Sequence, residues 1–280
     1  MDTQKINLLQ NNDLWLIEPR EYMRLSAMYV PALGQAQQGQ GDGKDEEKPY
    51  TVERGLVTLP IHGIIERKLS KMDKCLFKWL GIDYTESGEL AQVIAQVQDD
   101  PNVTAVLFDI DSPGGTVNGT PELAAAVSRL CKEKHVYAFT AGLCCSAAYW
   151  VASKCDVIYA APSAVVGSIG VVMSIVDSSE LHKNLGLKVE VFAAGKYKAA
   201  GLSGTSLTDE QRELLQSQVD ATCAEFKAEV TRRRTIDEAD MQGQCFRGVD
   251  AIRRGLVNAR IDSLEFLQAK LMERHGQTQF

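Results

Sequence analysis

The sequence predicts an α/β protein made of stacked β-α units, preceded by an N-terminal arm. Three observations predict it. From Tyr50 onward, short β-branched apolar runs alternate with segments of helical periodicity, the pattern of strands and helices wrapped around a buried sheet. At 280 residues, 45% hydrophobic and 24% charged, the chain can bury one sizeable core without staples. The stretch 34–49 (GQAQQGQGDGKDEEKP) holds almost nothing that could enter a core, so it reads as a linker that sets the arm apart.

The arm covers residues 1–33. Within it, Trp15 to Tyr29 carries an apolar stripe (Leu16, Met23, Leu25, Met28, Tyr29), with Pro19 where a helix could start. The main domain spans 50–262, with strands expected at 55–61, 104–110, 136–140, 157–160, 169–175 and 188–192. Helical spacing marks 87–98 and 121–132. A longer helix opens at Thr208, whose side chain can cap it while Gln211 reaches back. Its stripe of Leu215, Val219, Cys223, Phe226 and Val230 faces the body or a partner subunit. Residues 263–280 form a C-terminal helix and tail, and no internal repeat is visible.

Composition excludes several functions. A formal net charge of −7 argues against nucleic-acid binding, which calls for a concentrated basic face. The one dense basic run, Arg232 to Arg234, reads as a solvated helix end. The seven cysteines (75, 131, 144, 145, 155, 223 and 245) are odd in number and irregularly spaced, without a zinc-type pattern, so free thiols in a reducing compartment are expected. No signal-peptide-like stretch and no run of roughly 20 apolar residues is present, so partners are expected in solution and not in a membrane. Nothing calls for a metal or a cofactor.

Three stretches carry chemistry. Strand 104–110 leads into Ser112-Pro113-Gly114-Gly115, where two glycines let the backbone turn and bring N–H groups to a ligand. This is either an ordinary strand-to-helix turn or one wall of an oxyanion hole. Ser146 stands where a strand passes through Gly142 into an Ala-rich helical run, and serves either as a helix cap or as a nucleophile. A nucleophilic serine needs a base, and none of His62, His135, His182 and His275 has an acidic partner nearby in sequence. A lysine serves when burial favours its neutral amine. Lys196 and Lys198 in Gly195-Lys-Tyr-Lys198 are candidates, and would share a face if the segment is extended; a solvated surface lysine is the alternative for each. Lys198 is followed by Ala-Ala-Gly, an uncharged setting.

In this order and combination the motifs resemble the signal peptide peptidase A-like serine peptidases. The shared elements are Ser112 to Gly115, Ser146-Ala-Ala-Tyr-Trp150, Gly167-Ser-Ile-Gly-Val171, Gly195-Lys-Tyr-Lys198 and a late Phe246-x-Gly248-x-x-Ala251-x-x-x-Gly255-Leu-Val257. The likeness runs over about residues 52–262. It implies a fold of the Clp-protease/crotonase-like type and a Ser/Lys dyad with Ser146 as nucleophile and Lys198 as general base. Gly114 or Gly115, with the amide of Ser146 or its neighbour, corresponds to the oxyanion hole. Ser168 corresponds to a residue that orients the lysine. Cys144-Cys145 and Ala147-Ala148 replace small residues common in the family, a change of pocket detail.

The resemblance implies acyl transfer to Ser146, with a rate that falls as acid protonates the lysine. With no membrane anchor expected, and with Trp15, Ile17 and Pro19 in an arm that looks like the start of bacteriophage members, the chain resembles those that process capsid and scaffold proteins. Protein substrates (capsid, scaffold or portal proteins), a homo-oligomer and a location in the host cytoplasm or procapsid are then expected. The alternatives are a soluble cellular peptidase of the family and a catalytically silent assembly protein. An acyl-CoA enzyme of related fold would not need the Gly-x-x-Lys element.

Overall fold

Runs such as Leu56-Val57 and Ala105 to Phe108 are apolar on consecutive residues, which suits strands covered on both faces. The computed structural model describes residues 5–7, 15–17, 29–31 and 48–276. In the arm, β1 (Lys5–Asn7) pairs antiparallel with β3 (Tyr29–Pro31), and β2 (Trp15–Ile17) joins the main sheet. Trp15–Ile17 is therefore a strand. The helix expected from Pro19 and nearly all of the linker lie outside the described residues.

Strand β4 (Val52–Glu53) turns through Arg54 and Gly55, both at positive φ, into β5 (Leu56–Glu66). Strand β6 (Tyr84–Glu86) pairs parallel to the end of β5. The spine is β7 (Ala105–Thr116), parallel to β5 from Leu56↔Ala105 to Ile65↔Gly115 with a bulge between His62 and Ile64. After it come β8 (His135–Thr140), β9 (Leu143–Cys145), β10 (Val157–Ala160), β11 (Val165–Gly167), β12 (Cys245–Arg247) and β13 (Ala259–Arg260). The order across the sheet is β12-β11-β9-β7-β8-β10-β13, with β12 antiparallel to β11 and the other neighbours parallel. The α/β class is as expected.

The helices are α1 (Lys71–Leu80), α2 (Ser87–Asp99), α3 (Thr120–Leu130), α4 (Ala147–Ala152), α5 (Ser179–Asn184), α6 (Asp209–Thr231), α7 (Gly248–Arg253) and α8 (Leu264–Gly276). On one face of the sheet, Phe108 and Ile110 pack with Leu90 and Ile94 of α2, Leu123 and Val127 of α3, and Trp150 of α4. Trp150 stacks on Phe226 at 4.7 Å between ring centroids, which ties α6 to α4. The opposite face, Leu56, Leu107, Tyr137 and Phe139, is closed by Leu267 and Leu271 of α8. The capping box of Thr208 and Gln211 opens α6 as read from the sequence, and its stripe is half-buried at Leu215 and fully buried by Phe226 and Val230.

Four expectations are corrected. Residues 169–175 form no strand, because β11 lies earlier, at Val165–Gly167, where β9 and β12 flank it. Residues 188–192 form no strand either: they are exposed and no neighbouring strand offers them a ladder. The strand leading into Ser112 does not end there, since Gly114 and Gly115 pair with Ile64 and Ile65 and β7 runs on to Thr116. Arg234 is no solvated helix end: buried, it donates to the carbonyls of Ser153 and Cys155 and to Asn258 Oδ1.

Candidate functional site

Strands β8 and β9 lie in succession along one edge of β7. β8 pairs with Ala105–Asp109, the chain bends at Gly142, and β9 resumes with Cys144 opposite Ser112. Ser146 follows two residues after Cys144, where β9 ends and α4 begins. Asp111 fixes the bend. Its Oδ1 accepts the Leu143 N–H at 2.9 Å, and a Cβ at Gly142 would come within 2.2 Å of that carboxylate. Sequence reading missed Asp111; the signal available was an acid directly before Ser-Pro-Gly-Gly combined with a glycine before the second strand.

Ser146 has φ 54° and ψ −118°, outside the extended region of a helix cap, and its side chain makes no capping hydrogen bond. Its N–H donates to Gly167 O at 2.8 Å and its carbonyl accepts from Trp150 at 2.9 Å, so the backbone is held from both sides. The side chain is fully buried, and Oγ has no hydrogen-bond partner among the described residues. A non-glycine residue held at such a φ costs about 1–3 kcal/mol, and an unsatisfied buried hydroxyl costs about the same. The fold thus sustains two unfavourable features on one side chain.

The backbone donors are arranged as follows. Gly114 has φ 108°, open to glycine alone, and its N–H donates to Ser112 Oγ at 3.2 Å. Gly115 has no room for a side chain, since a Cβ would sit 1.8 Å from Ile65 O. Ser146's own amide is engaged by Gly167, which leaves the first-turn amides of α4, beginning with Ala147, without intrahelical acceptors. Ser168 is buried, also at positive φ (52°), and its N–H donates to Gln244 O at 2.8 Å.

The lysines lie elsewhere. Residues 194–201 are a run of turns, not an extended strand, so Lys196 and Lys198 are not set on one face of a strand. Lys196 pairs with Glu210 at 2.9 Å, which raises its pKa and keeps it charged. Lys198 is exposed, its N–H donates to Gly195 O, and its ammonium makes no ion pair or hydrogen bond among the described residues. The desolvated setting expected for Lys198 is thus absent within one chain, because no residue from 170 to 210 is buried. No contact joins Lys198 to Ser146 among the described residues.

Other candidate groups are engaged. His62 Nε2 meets Asp109 Oδ2 at 3.0 Å on the sheet face opposite α2 and α3, an acidic partner that sequence distance had hidden. His275 is buried against the Tyr137 hydroxyl, and His182 contacts Ser178 O. Burial pushes the Cys144 thiol up to about 12 and Cys155 well above its usual range, so neither forms a thiolate nucleophile near neutral pH.

These features define a class: an α/β protein that presents one strained, unpartnered serine hydroxyl at a strand-to-helix junction, beside a glycine-lined strand. The chain belongs to Peptidase family S49, whose profile matches residues 128–277. It is 28% identical over 230 residues to the capsid assembly protease C of Escherichia phage lambda, covering 81% of this chain and 51% of that protein. It is also 28% identical over 176 residues to the chloroplastic serine protease SPPA of Arabidopsis thaliana, covering 61% and 26%. Among solved structures, an enoyl-CoA hydratase of Mycobacterium smegmatis is similar over 81% of this chain and 75% of that one, at 15% identity and a TM-score of 0.48. The chain spans about half the length of the first curated relatives it matches. No helix among the described residues is long and apolar enough to cross a membrane.

Proposed function

We propose that this chain is a serine endopeptidase in which Ser146 is the nucleophile and Lys198 the general base. The observation that carries the reading is Ser146 itself: a helix cap would satisfy its hydroxyl and sit at negative φ, and Ser146 does neither. A buried hydroxyl without a partner, at the end of the strand that pairs beside Ser112, suits a reaction that supplies the partner.

In the reaction, the neutral Lys198 amine takes the Oγ proton as Oγ bonds to the scissile carbonyl carbon. The carbonyl oxygen becomes an oxyanion, held by amides of the Gly114–Gly115 strand and of Ala147. The resulting ammonium returns the proton to the leaving nitrogen as the C–N bond breaks. Water, deprotonated by the same amine, then releases the acyl group from Oγ. The Gly114 amide would have to exchange Ser112 Oγ for the oxyanion. Ser168, strained and following the Gly167 carbonyl that anchors Ser146, is the residue proposed to orient the lysine.

Bringing Lys198 to Ser146 requires its segment to pack. Between residues 170 and 210 no side chain is fully buried, and Leu181, Leu185, Leu187, Val191 and Phe192 are exposed, the last at 94%. Such a surface is suited to a second copy of the chain, and we assign the homo-oligomer to it. The likeness to a phage capsid assembly protease favours capsid or scaffold proteins as substrates, cut in the host cytoplasm or procapsid.

The test is co-expression with a capsid or scaffold protein from the same source, with fragments followed by mass spectrometry. The parent and Lys196→Ala should cut, while Ser146→Ala and Lys198→Ala should not. Equal cutting by all four would reject the reading.

A further inference from the structure

The edge of β7 that β8 and β9 occupy in turn is taken, beyond Ser112, by the arm. Strand β2 pairs antiparallel there, with Trp15 opposite Thr116, Leu16 opposite Gly115 and Ile17 opposite Gly114. The other edge of the same residues is held by Ile64 and Ile65 of β5. Strand β2 therefore lies on the edge that Ser146 continues. Its direction is from Thr116 towards Gly114, so Ile17 is the β2 residue closest in register to the serine.

A strand edge offers one row of donors and acceptors, and only one partner strand can pair with it at a time. We propose that residues 15–17 are a built-in occupant of the peptide-docking edge, holding the place of an extended substrate and competing with it. The proposal rests on the peptidase reading of Ser146. The occupant is short: three residues form few ladder bonds, each worth about 0.5–1.5 kcal/mol net. What keeps it in place is its covalent connection to the body, which supplies an effective concentration on the order of millimolar. A free peptide that binds the bare edge at about 0.1 mM would then see its apparent affinity lowered about tenfold. A longer segment, presented at high local concentration, displaces it.

The test uses the full chain. Leu16→Pro with Ile17→Pro removes two N–H donors from β2, and Leu16→Gly with Ile17→Gly, which keeps them but loosens the strand, should shift the same way by less. Binding of a dye-labelled synthetic peptide of residues 12–20 is measured by fluorescence polarisation in a Ser146→Ala background, and amide exchange at Gly114–Thr116 by mass spectrometry. The proline variant should bind the peptide about tenfold more tightly than its parent. Its Gly114–Thr116 amides should exchange faster until peptide is added. In the active chain the same variant should lower KM about tenfold with kcat unchanged. Equal peptide affinity and unchanged exchange in the two proline and glycine variants would overturn the proposal, as would release of the first 17 residues by the chain's own activity. Binding needs no catalysis, so tighter peptide binding by the proline variant together with no hydrolysis by the chain that keeps Ser146 would reject the peptidase reading and leave the competing strand in place.

Discussion

Ser146 and Lys198 sit in opposite physical settings. Around the serine, from β8 through β11, most side chains are buried, helix α4 is buried along its whole length, and the backbone is pinned by Gly167 and Trp150. Around the lysine, the stretch 172–210 holds no buried side chain and turns apolar side chains to solvent. The serine is therefore organised by folding, and the lysine has to be organised by a later packing event. A rigid element can hold a side chain in an unfavourable conformation; a surface segment cannot. Changes near the serine should therefore separate stability from activity, and changes near the lysine should act through association.

The largest separation is expected for Ser146→Gly. Hydrolysis should fall by about 10⁴-fold or more, as for loss of a serine nucleophile. The unfolding midpoint should rise, because glycine relieves the positive φ and removes the orphaned hydroxyl. A lower midpoint, read by differential scanning calorimetry, would mean that Ser146 is not strained.

Asp111→Ala comes next. Without the carboxylate that accepts the Leu143 N–H, the bend that leads through β9 into Ser146 loosens, and kcat should fall about 100-fold while KM changes little. Asp111→Asn keeps an accepting oxygen and should restore most of the rate. If alanine and asparagine are equally slow, Asp111 acts otherwise than by holding the bend.

Phe192→Asp probes the other region. Removing one exposed phenylalanine from a self-association surface costs about 1.5–3 kcal/mol of burial per site, which weakens association by about one to two powers of ten. Light scattering should show dissociation, with activity falling in parallel. Unchanged assembly would move the interface elsewhere.

The smallest effect lies far from both. Burial, then the neighbouring His135 and Arg274, hold the His275 pKa below its ordinary value of 6.5. The unfolded chain therefore binds this proton more readily, and the stability His275 contributes is present above pH 6.5 and lost as pH falls from there through the folded value. The drop in unfolding midpoint from pH 7.5 to 5.5 should be smaller in His275→Gln, which keeps a neutral partner for Tyr137.

Much of the sheet was legible because its strands are short apolar runs between helices whose spacing is local: Ser87–Asp99, Thr120–Leu130 and the capped opening of α6 follow from nearby residues. The failures share a cause. Residues 169–175 and 188–192 carry strand-like apolar residues, but strand formation needs a partner edge, and that edge is not a property of the segment. Val165–Gly167 was passed over because three residues give almost no pattern, yet strands far away in sequence, Leu143–Cys145 and Cys245–Arg247, fix it from both sides. At the site, the order of Ser112, Ser146, Ser168 and Lys198 was readable, whereas the serine's strain, the Asp111 contact and the arm on the Gly114 edge are products of long-range register.

If Ser146 is the nucleophile, it becomes acylated during turnover. This is tested most directly by treating the chain with p-nitrophenyl acetate and mapping hydroxylamine-labile adducts by peptide mass spectrometry. One ester is expected, on the peptide carrying Ser146, lost in Ser146→Ala and strongly slowed in Lys198→Ala. An ester on another residue, or the same labelling in Ser146→Ala, would contradict it.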